Sequence, residues 1–266
     1  MQPAIKMALR IARQGADYLK AHFERQDANS KDRDTLNQQL NKVELSVQAN
    51  FTEQLQKAYK DFYIAPLYDI DASGHENSWH IFPVLGREAF IRGLPEFALV
   101  LLQKRNNRAE HLVLINPVTG EEYSASRGHG AALNSRRVRC NEVRALSQVT
   151  LVTNALNQVK FGDSPLVWGE LLVALGQETQ QVRSTSCAAL DIARVCAGLL
   201  DAAVIARPEP AELAIGLLLT NESGALSGDF AGNPSSQDAR QLVVANPKLF
   251  KEVLKLLHPF RGRLPR

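Results

Sequence analysis

Cysteine is scarce in this chain, with three among 266 residues, Cys140, Cys187 and Cys196, and no CxxC pair. An odd and sparse set excludes a disulfide framework and points to a reducing compartment. Cys187 and Cys196 lie in a segment of helical character; at about 100° per residue they fall on roughly opposite faces, so they do not bridge each other. We expect buried thiols that act as small apolar side chains. Long apolar runs are missing as well. No stretch approaches the roughly 20 apolar residues that cross a bilayer, and basic residues interrupt the N-terminal stretch MQPAIKMALRIARQGADYLKAHF, which is unlike a signal peptide. The expectation is a cytoplasmic protein without membrane association. An excess of one charge is also lacking, because a net +3 is too small to imply nucleic acid by itself. There is no internal repeat and no low-complexity tract.

What is present is ordinary for a soluble globular protein: 45% hydrophobic and 22% charged residues. That supplies one large domain or two closely packed halves. Ile5, Leu9, Ala12, Ala16 and Leu19 recur at helical spacing, and Val43, Val47, Phe51, Leu55 and Tyr59 repeat every four residues. Between them, the polar stretch ERQDANSKDRDTLNQQLN reads as a loop. Residues 97–103, 111–115 and 121–126 read as strands, with Asn116–Gly120 as the turn between the last two.

Further on the pattern alternates. Residues 150–153, 202–206 and 241–246 read as strands. Helices are expected over 166–176, ending at Gly176, over 187–201, over 211–224, stopped by Gly224, and at the C-terminal end. The reading is therefore α/β (α+β). A helix pair and an antiparallel sheet occupy 1–145, an α/β half occupies 146–266, and the two form one compact unit.

Six ordered segments carry a resemblance to a known family. They are the opening MQPAIKMALRIARQGA, WHIFPVLGREAFIRGLPEFAL (79–99), NPVTGEEYSASRGHGAALNSRRVR (116–139), CAALDIARVCAGLLDA (187–202), AELAIGLLLTNESGALSGDFAG (211–232) and VVANPKLF (243–250). Together they resemble the inositol monophosphatase family, and most closely its bacterial extragenic-suppressor (SuhB-like) branch. The resemblance implies a layered αβαβα sandwich, a homodimer, and an active site in which carboxylates hold Mg²⁺ and a metal-bound water attacks phosphate.

At the positions of that chemistry the chain departs from the family. The family pattern W-x-I-D-P-x-D-G-T-T-N-F stands here as Trp79-His80-Ile81-Phe82-Pro83-Val84-Leu85-Gly86-Arg87-Glu88-Ala89-Phe90. Phe82 and Leu85 replace the two metal-binding aspartates, Arg87 and Glu88 the two threonines, and Ala89 the asparagine. The pattern V-T-x-x-D becomes Leu40-Asn41-Lys42-Val43-Glu44, and W-D-x-A-A-G becomes Ala211-Glu212-Leu213-Ala214-Ile215-Gly216, so Glu44 and Glu212 keep the charge on a longer arm. The family's Glu-Glu pair aligns with Leu67 and Tyr68, with Asp69 or Asp71 in reach by a small shift. The substrate-contacting G-[SA]-A stands as Ser186-Cys187-Ala188, and a substrate-binding acid as Ile205.

Two readings of Arg87 stand side by side. In one, its guanidinium fills the vacated cation position between Glu44 and Glu212; in the other, it points to solvent. Gly86 and Arg87 could also hold an anion at a helix start. Other motifs are less specific. Gly128-His129-Gly130 lacks the third glycine of a dinucleotide fingerprint, since Leu133 stands there, and Gly224–Gly228 is out of step with a nucleophile elbow. His75 and His80 are expected at the surface or as caps, and Asp191 and Asp201 in structural roles. Arg127, Arg136, Arg137, Arg139 and Arg144 form a basic stretch, favoured as a solvated face or dimer rim over an RNA contact. The expected function is a binding or regulatory protein without phosphatase activity, a partner of the transcription machinery, needing no cofactor. The alternative is an altered Mg²⁺-dependent phosphomonoesterase using Glu44, Glu212 and one of Asp69 or Asp71.

Overall fold

In a computed structural model, which describes residues 2–26, 32–71, 74–235 and 239–264, the chain forms two compact units, Met1–Arg136 and Arg137–Arg266.

The N-terminal unit opens with α1 (Pro3–Arg25) and α2 (Arg33–Ala58). The loop expected over 24–41 is a loop only in part. Asp32 caps α2 by accepting from the Thr35 N–H at 2.9 Å, and the helix runs from Arg33 with Leu36 and Leu40 already buried. Residues 27–31 of that stretch lie outside the described residues. The strands are β1 (Tyr63–Ile64), β2 (Asn77–Leu85), β3 (Ala98–Arg105), β4 (Arg108–Ile115), β5 (Glu122–Ser126), β6 (Gly130–Leu133) and β7 (Arg136–Val138), with the short α3 (Arg87–Ile91) after β2. They lie in one sheet in chain order, with β1 parallel to β2 and antiparallel pairing from β2 to β6.

Trp79 and Ile81 of β2, Leu99 and Leu101 of β3, and Val113 of β4 share a core with Leu9, Ala12 and Leu19 of α1 and Val47, Phe51 and Leu55 of α2. The helices approach closely because residue 15 is glycine: a Cβ there would sit 2.3 Å from the Phe51 ring. The β2–β3 register shifts between Phe82 and Leu85, where Pro83 has no N–H to give the ladder.

The C-terminal unit contains β8 (Thr150–Thr153), α4 (Ala155–Phe161), α5 (Pro165–Glu178), β9 (Gln181–Arg183), α6 (Ala188–Cys196), β10 (Ala202–Ala206), α7 (Pro210–Ser223), β11 (Leu226–Gly228), β12 (Gln241–Ala245) and α8 (Pro247–Leu257). The sheet order is β11-β12-β10-β8-β9, parallel across β10-β8-β9 and antiparallel at β11-β12-β10. Every residue of β10 and β12 is buried, as a strand covered on both faces requires, which is why both read as unbroken apolar runs. Leu151, Val204 and Val243 share one core with Trp168 and Leu171 of α5 and Leu249 and Val253 of α8.

Two helix ends differ from expectation. Gly176 does not stop α5, which continues to Glu178, and the segment 187–201 is helical only from Ala188 to Cys196. Gly224 does end α7, in the left-handed conformation that glycine adopts without strain. Cys187 and Cys196 are buried and their thiols are pushed up by burial, Cys196 to about 11, while Cys140 is only half-buried, so the expectation of a buried thiol fails there.

Candidate functional site

Glu44 stands in the middle of α2, only 1% exposed, on the helix face that carries Leu40 and Val47. A carboxylate at that depth needs compensation, because burial strips its hydration. Arg87, the first residue of α3, forms an ion pair with it through Nη1 onto Oε2, and its Nη2 donates to Asn41 Oδ1 at 2.8 Å, one helical turn before Glu44. The guanidinium is itself about one-third exposed, at 35%. Burial alone would lower the Arg87 pKa, but the hydrogen bond and charge of Glu44 raise it.

The other Glu44 oxygen is taken by Tyr68. Its hydroxyl donates to Glu44 Oε1 and contacts the Val84 backbone, 2.9 Å from the carbonyl and accepting from the N–H at 3.2 Å. The register shift frees that Val84 peptide from regular pairing, and one phenol serves both sides of it. Burial, and next the adjacent Glu44 charge, raise the Tyr68 pKa above the ordinary tyrosine value. The Tyr68 backbone is left-handed, with φ at 62°. A bulky residue holds that conformation only where its surroundings fix it.

The surroundings here are explicit. His80 and Lys104, both buried, hold the next two carbonyls: His80 Nδ1 lies 2.8 Å from Asp69 O, and Lys104 Nζ donates to Ile70 O at 2.7 Å. A carbonyl only accepts, so Nδ1 carries the proton and Nε2 takes the Ser78 hydroxyl at 2.9 Å. His80 is thus no surface or capping residue; it is fully buried within β2, and burial lowers its pKa.

Phe82, fully buried, faces the Tyr68 ring at a centroid distance of 6.2 Å, and Leu85 is half-buried at the end of β2. Neither side chain carries a donor or acceptor atom. Gly86 caps α3 in the left-handed conformation, and Glu88 pairs with Arg33 of α2 and with Arg92, at 2.8 Å for the latter. The start of α3 is therefore fastened to α2 by two ion pairs. Asp69 and Asp71 are turned elsewhere. Asp69 Oδ1 accepts from the Asp71 N–H at 2.7 Å, and the electrostatic neighbours of both include His80 and Lys104.

Glu212 belongs to the C-terminal unit, at the third position of α7. Its carboxylate accepts from the Glu209 N–H at 3.0 Å, as half of a capping box, and from the Ala188 N–H at the start of α6. Burial lifts its pKa to about 7, with Glu209 and Asp191 adding to the rise and the two N–H donors opposing it. Asp191 is buried and receives the Thr185 hydroxyl, and Asp201 accepts from Asn141 Nδ2 at 2.5 Å and Thr150 N at 2.6 Å, both structural contacts. Ile205 is buried in β10.

The structure thus brings Glu44, Arg87, Phe82 and the Val84 peptide together around Tyr68. Sequence reasoning missed Tyr68 and Asn41 as working residues. The signal for Tyr68 was its alignment with the family's acidic pair, where a phenol can donate to the acid that remains. Among the described residues, no three His, Cys, Asp or Glu side chains are grouped so as to hold a metal ion.

Two sheets flanked by helices define a mixed α+β fold. A model of the inositol monophosphatase family matches residues 1–259, and the chain belongs to that family. Among its relatives, Nus factor SuhB of Pseudomonas aeruginosa is 33% identical over 266 residues, covering 97% of each chain. Nus factor SuhB of Escherichia coli K12 is 28% identical over 256 residues, covering 96% of this chain and 95% of that one. The extragenic suppressor protein suhB of Bartonella henselae shares the fold with a TM-score of 0.77 at 20% identity, over 97% of this chain and 100% of that one. The IMPase of Thermotoga maritima does so with a TM-score of 0.80 at 23% identity, over 98% of both chains. The chain is a SuhB-like member of the family. Among the described residues no helix is long and apolar enough to cross a membrane.

Proposed function

We propose that this chain is a regulatory member of the inositol monophosphatase family that associates with the transcription machinery and has lost phosphomonoester hydrolysis. The observation that carries the reading is the ion pair of Arg87 with the buried Glu44. A hard divalent cation needs several oxygen donors in an octahedral array. Here the oxygens of Glu44 are engaged by a guanidinium and a phenol, and Phe82 and Leu85 bring no lone pair. The residues present do not fit such an ion. A guanidinium supplies the positive charge that structure needs, but it cannot lower the pKa of a bound water or orient it for attack.

The name Nus factor borne by the relatives supports a partner in transcription. A homodimer is part of the same reading. The exposed face of α5, with Leu166 82% and Val173 60% exposed and open space over Gly169 and Gly176, is a surface that a second copy would cover.

The test uses the purified full chain with inositol phosphate and with a generic phosphomonoester, each with Mg²⁺ or Mn²⁺. No turnover above buffer is expected, together with co-purification of RNA polymerase from native extract and a dimer mass by light scattering. Turnover at family levels that Glu44→Gln abolishes would overturn the loss of hydrolysis.

A further inference from the structure

We propose that the C-terminal unit holds a ligand site of its own, a polar cavity that binds a small phosphate monoester with a hydroxylated body. The cavity, of about 830 Å³, lies between the chain that joins β11 to β12 and the turn after α8, and its walls include Asp229, Asn233, Ser235, Arg240, His258 and Arg261. That volume is in the range of small-molecule sites. Among the described residues, none that stands at a chemical position of the family lines it.

Both walls are fixed without a ligand. Asp229 shapes the loop: its carboxylate accepts from the N–H groups of Ala231 and Asn233 and from Asn233 Nδ2, at 2.8 Å each. Burial would raise the Asp229 pKa, but those donors outweigh it and hold it below the ordinary aspartate value. The loop lies close on α8, since a Cβ at Gly228 would sit 2.9 Å from the Phe250 ring and one at Gly232 2.8 Å from Leu254 Cδ1. On the other side, Arg261 sits in a turn anchored by the buried Phe260 and Leu264, whose N–H donates to Phe260 O at 3.0 Å.

Arg240 and Arg261 are exposed, and neither makes an ion pair among the described residues. Their neighbours do. Arg263 pairs with Glu170 at 2.7 Å, and Arg207, whose N–H donates to Arg240 O at 2.7 Å, pairs with Asp163. Among the described lining Asp229 is the one acid, and its oxygens are taken by the loop's own donors, so two guanidiniums line the cavity without a counterion. The Ser235 oxygen, also in the wall, is buried and finds no hydrogen-bond partner on the protein. A hydroxyl in that position normally has one, and a ligand oxygen can supply it.

Arginine forks match the paired oxygens of a phosphate monoester. Apart from the His258 imidazole no aromatic ring is among the described lining, so a nucleobase has no stacking surface, whereas Asn233 and Ser235 suit hydroxyl groups. Binding here needs neither phosphatase chemistry nor a macromolecular partner.

The experiment is isothermal titration calorimetry of the full chain with glucose 6-phosphate, glucose and sodium sulfate, in buffer free of phosphate and divalent cations. Glucose 6-phosphate is expected to bind with a Kd below about 1 mM, and glucose and sulfate at least about tenfold more weakly. R240A/R261A is expected to weaken glucose 6-phosphate at least about tenfold and S235A about threefold. A control removing two charges elsewhere, K20A/K57A, is expected to change binding less than about twofold. Thermal melts check that the variants fold; if the double variant melts early, R240A and R261A singly are held to a loss of at least about threefold. No heat from the unaltered chain up to about 10 mM glucose 6-phosphate, or equal binding by the arginine variants, overturns the proposal. Sulfate binding as tightly as glucose 6-phosphate marks an adventitious ion only, and glucose doing so marks a neutral sugar site; each also overturns it.

Discussion

Glu44 and Glu212 are two helix carboxylates, one in each unit, and the molecule treats them in opposite ways. Glu44 is compensated by charge: a guanidinium on one oxygen and a phenol on the other. Glu212 has backbone N–H donors from Glu209 and Ala188, and its pKa near 7 leaves a proton to complete the compensation at mildly acid pH. A carboxylate withdrawn from water can thus be kept by pairing it with a cation or by tolerating protonation. The first route fixes a residue; the second leaves a pH-sensitive point.

The largest expected effect is on the first route. Arg87→Met leaves the Glu44 charge buried without a counterion and is expected to destabilise the fold by about 3 kcal/mol in urea denaturation, toward the lower end for a broken buried pair because Arg87 is partly exposed. Adding Glu44→Gln to Arg87→Met is expected to restore most of that loss. A loss below about 0.5 kcal/mol for Arg87→Met breaks the contrast, because it would place the pair among inert surface bridges.

Glu212→Gln is expected to matter through pH. The folded chain holds the Glu212 proton up to about 7 against an ordinary 4.5, so the unfolded chain releases it first as pH rises. Its contribution is whole below about pH 4.5, falls between 4.5 and about 7, and is gone above that. The substitution is expected to flatten that slope and to stabilise the protein by about 1–2 kcal/mol at pH 8. Parallel pH profiles for the two proteins would remove the second route.

The smallest effect belongs to the outer fastening of α3. Glu88→Ala cuts its pairs with Arg33 and Arg92, all well exposed, and is expected to cost less than about 1 kcal/mol and to vanish at high salt. A cost equal to that of Arg87→Met would mean that the outer pair, not the buried one, holds the helix.

Much of this was legible in the sequence, for physical reasons. Trp79, Ile81, Pro83, Gly86 and Phe90 fix a strand, its irregular end and a helix start, so the position of Arg87 could be read before any coordinates. The buried strands β10 and β12 announced themselves as apolar runs. His80 was not legible, because in a strand buried on both faces a histidine bonded to Ser78 and a loop carbonyl looks like any polar residue near a strand start. The start of α2 was hidden by its polar first turns, which only the Asp32 cap organises. Gly176 misled for the opposite reason: it sits exposed in α5 with open space at its Cβ, and the helix tolerates it. Tyr68 lay in plain view, but its role depends on a left-handed backbone that tertiary contacts impose.

The Phe82 ring has a consequence for what its position can accept. It is fully buried and faces Tyr68, whose hydroxyl in turn occupies Glu44. Placing aspartate at position 82 alone would set a second carboxylate in a dry space whose counterion is already committed, at a cost of several kcal/mol. Accommodating an acid at position 82 would require Tyr68 and Arg87 to change with it, because the two already occupy Glu44. The interlock therefore resists single substitutions, because each of its parts holds the next.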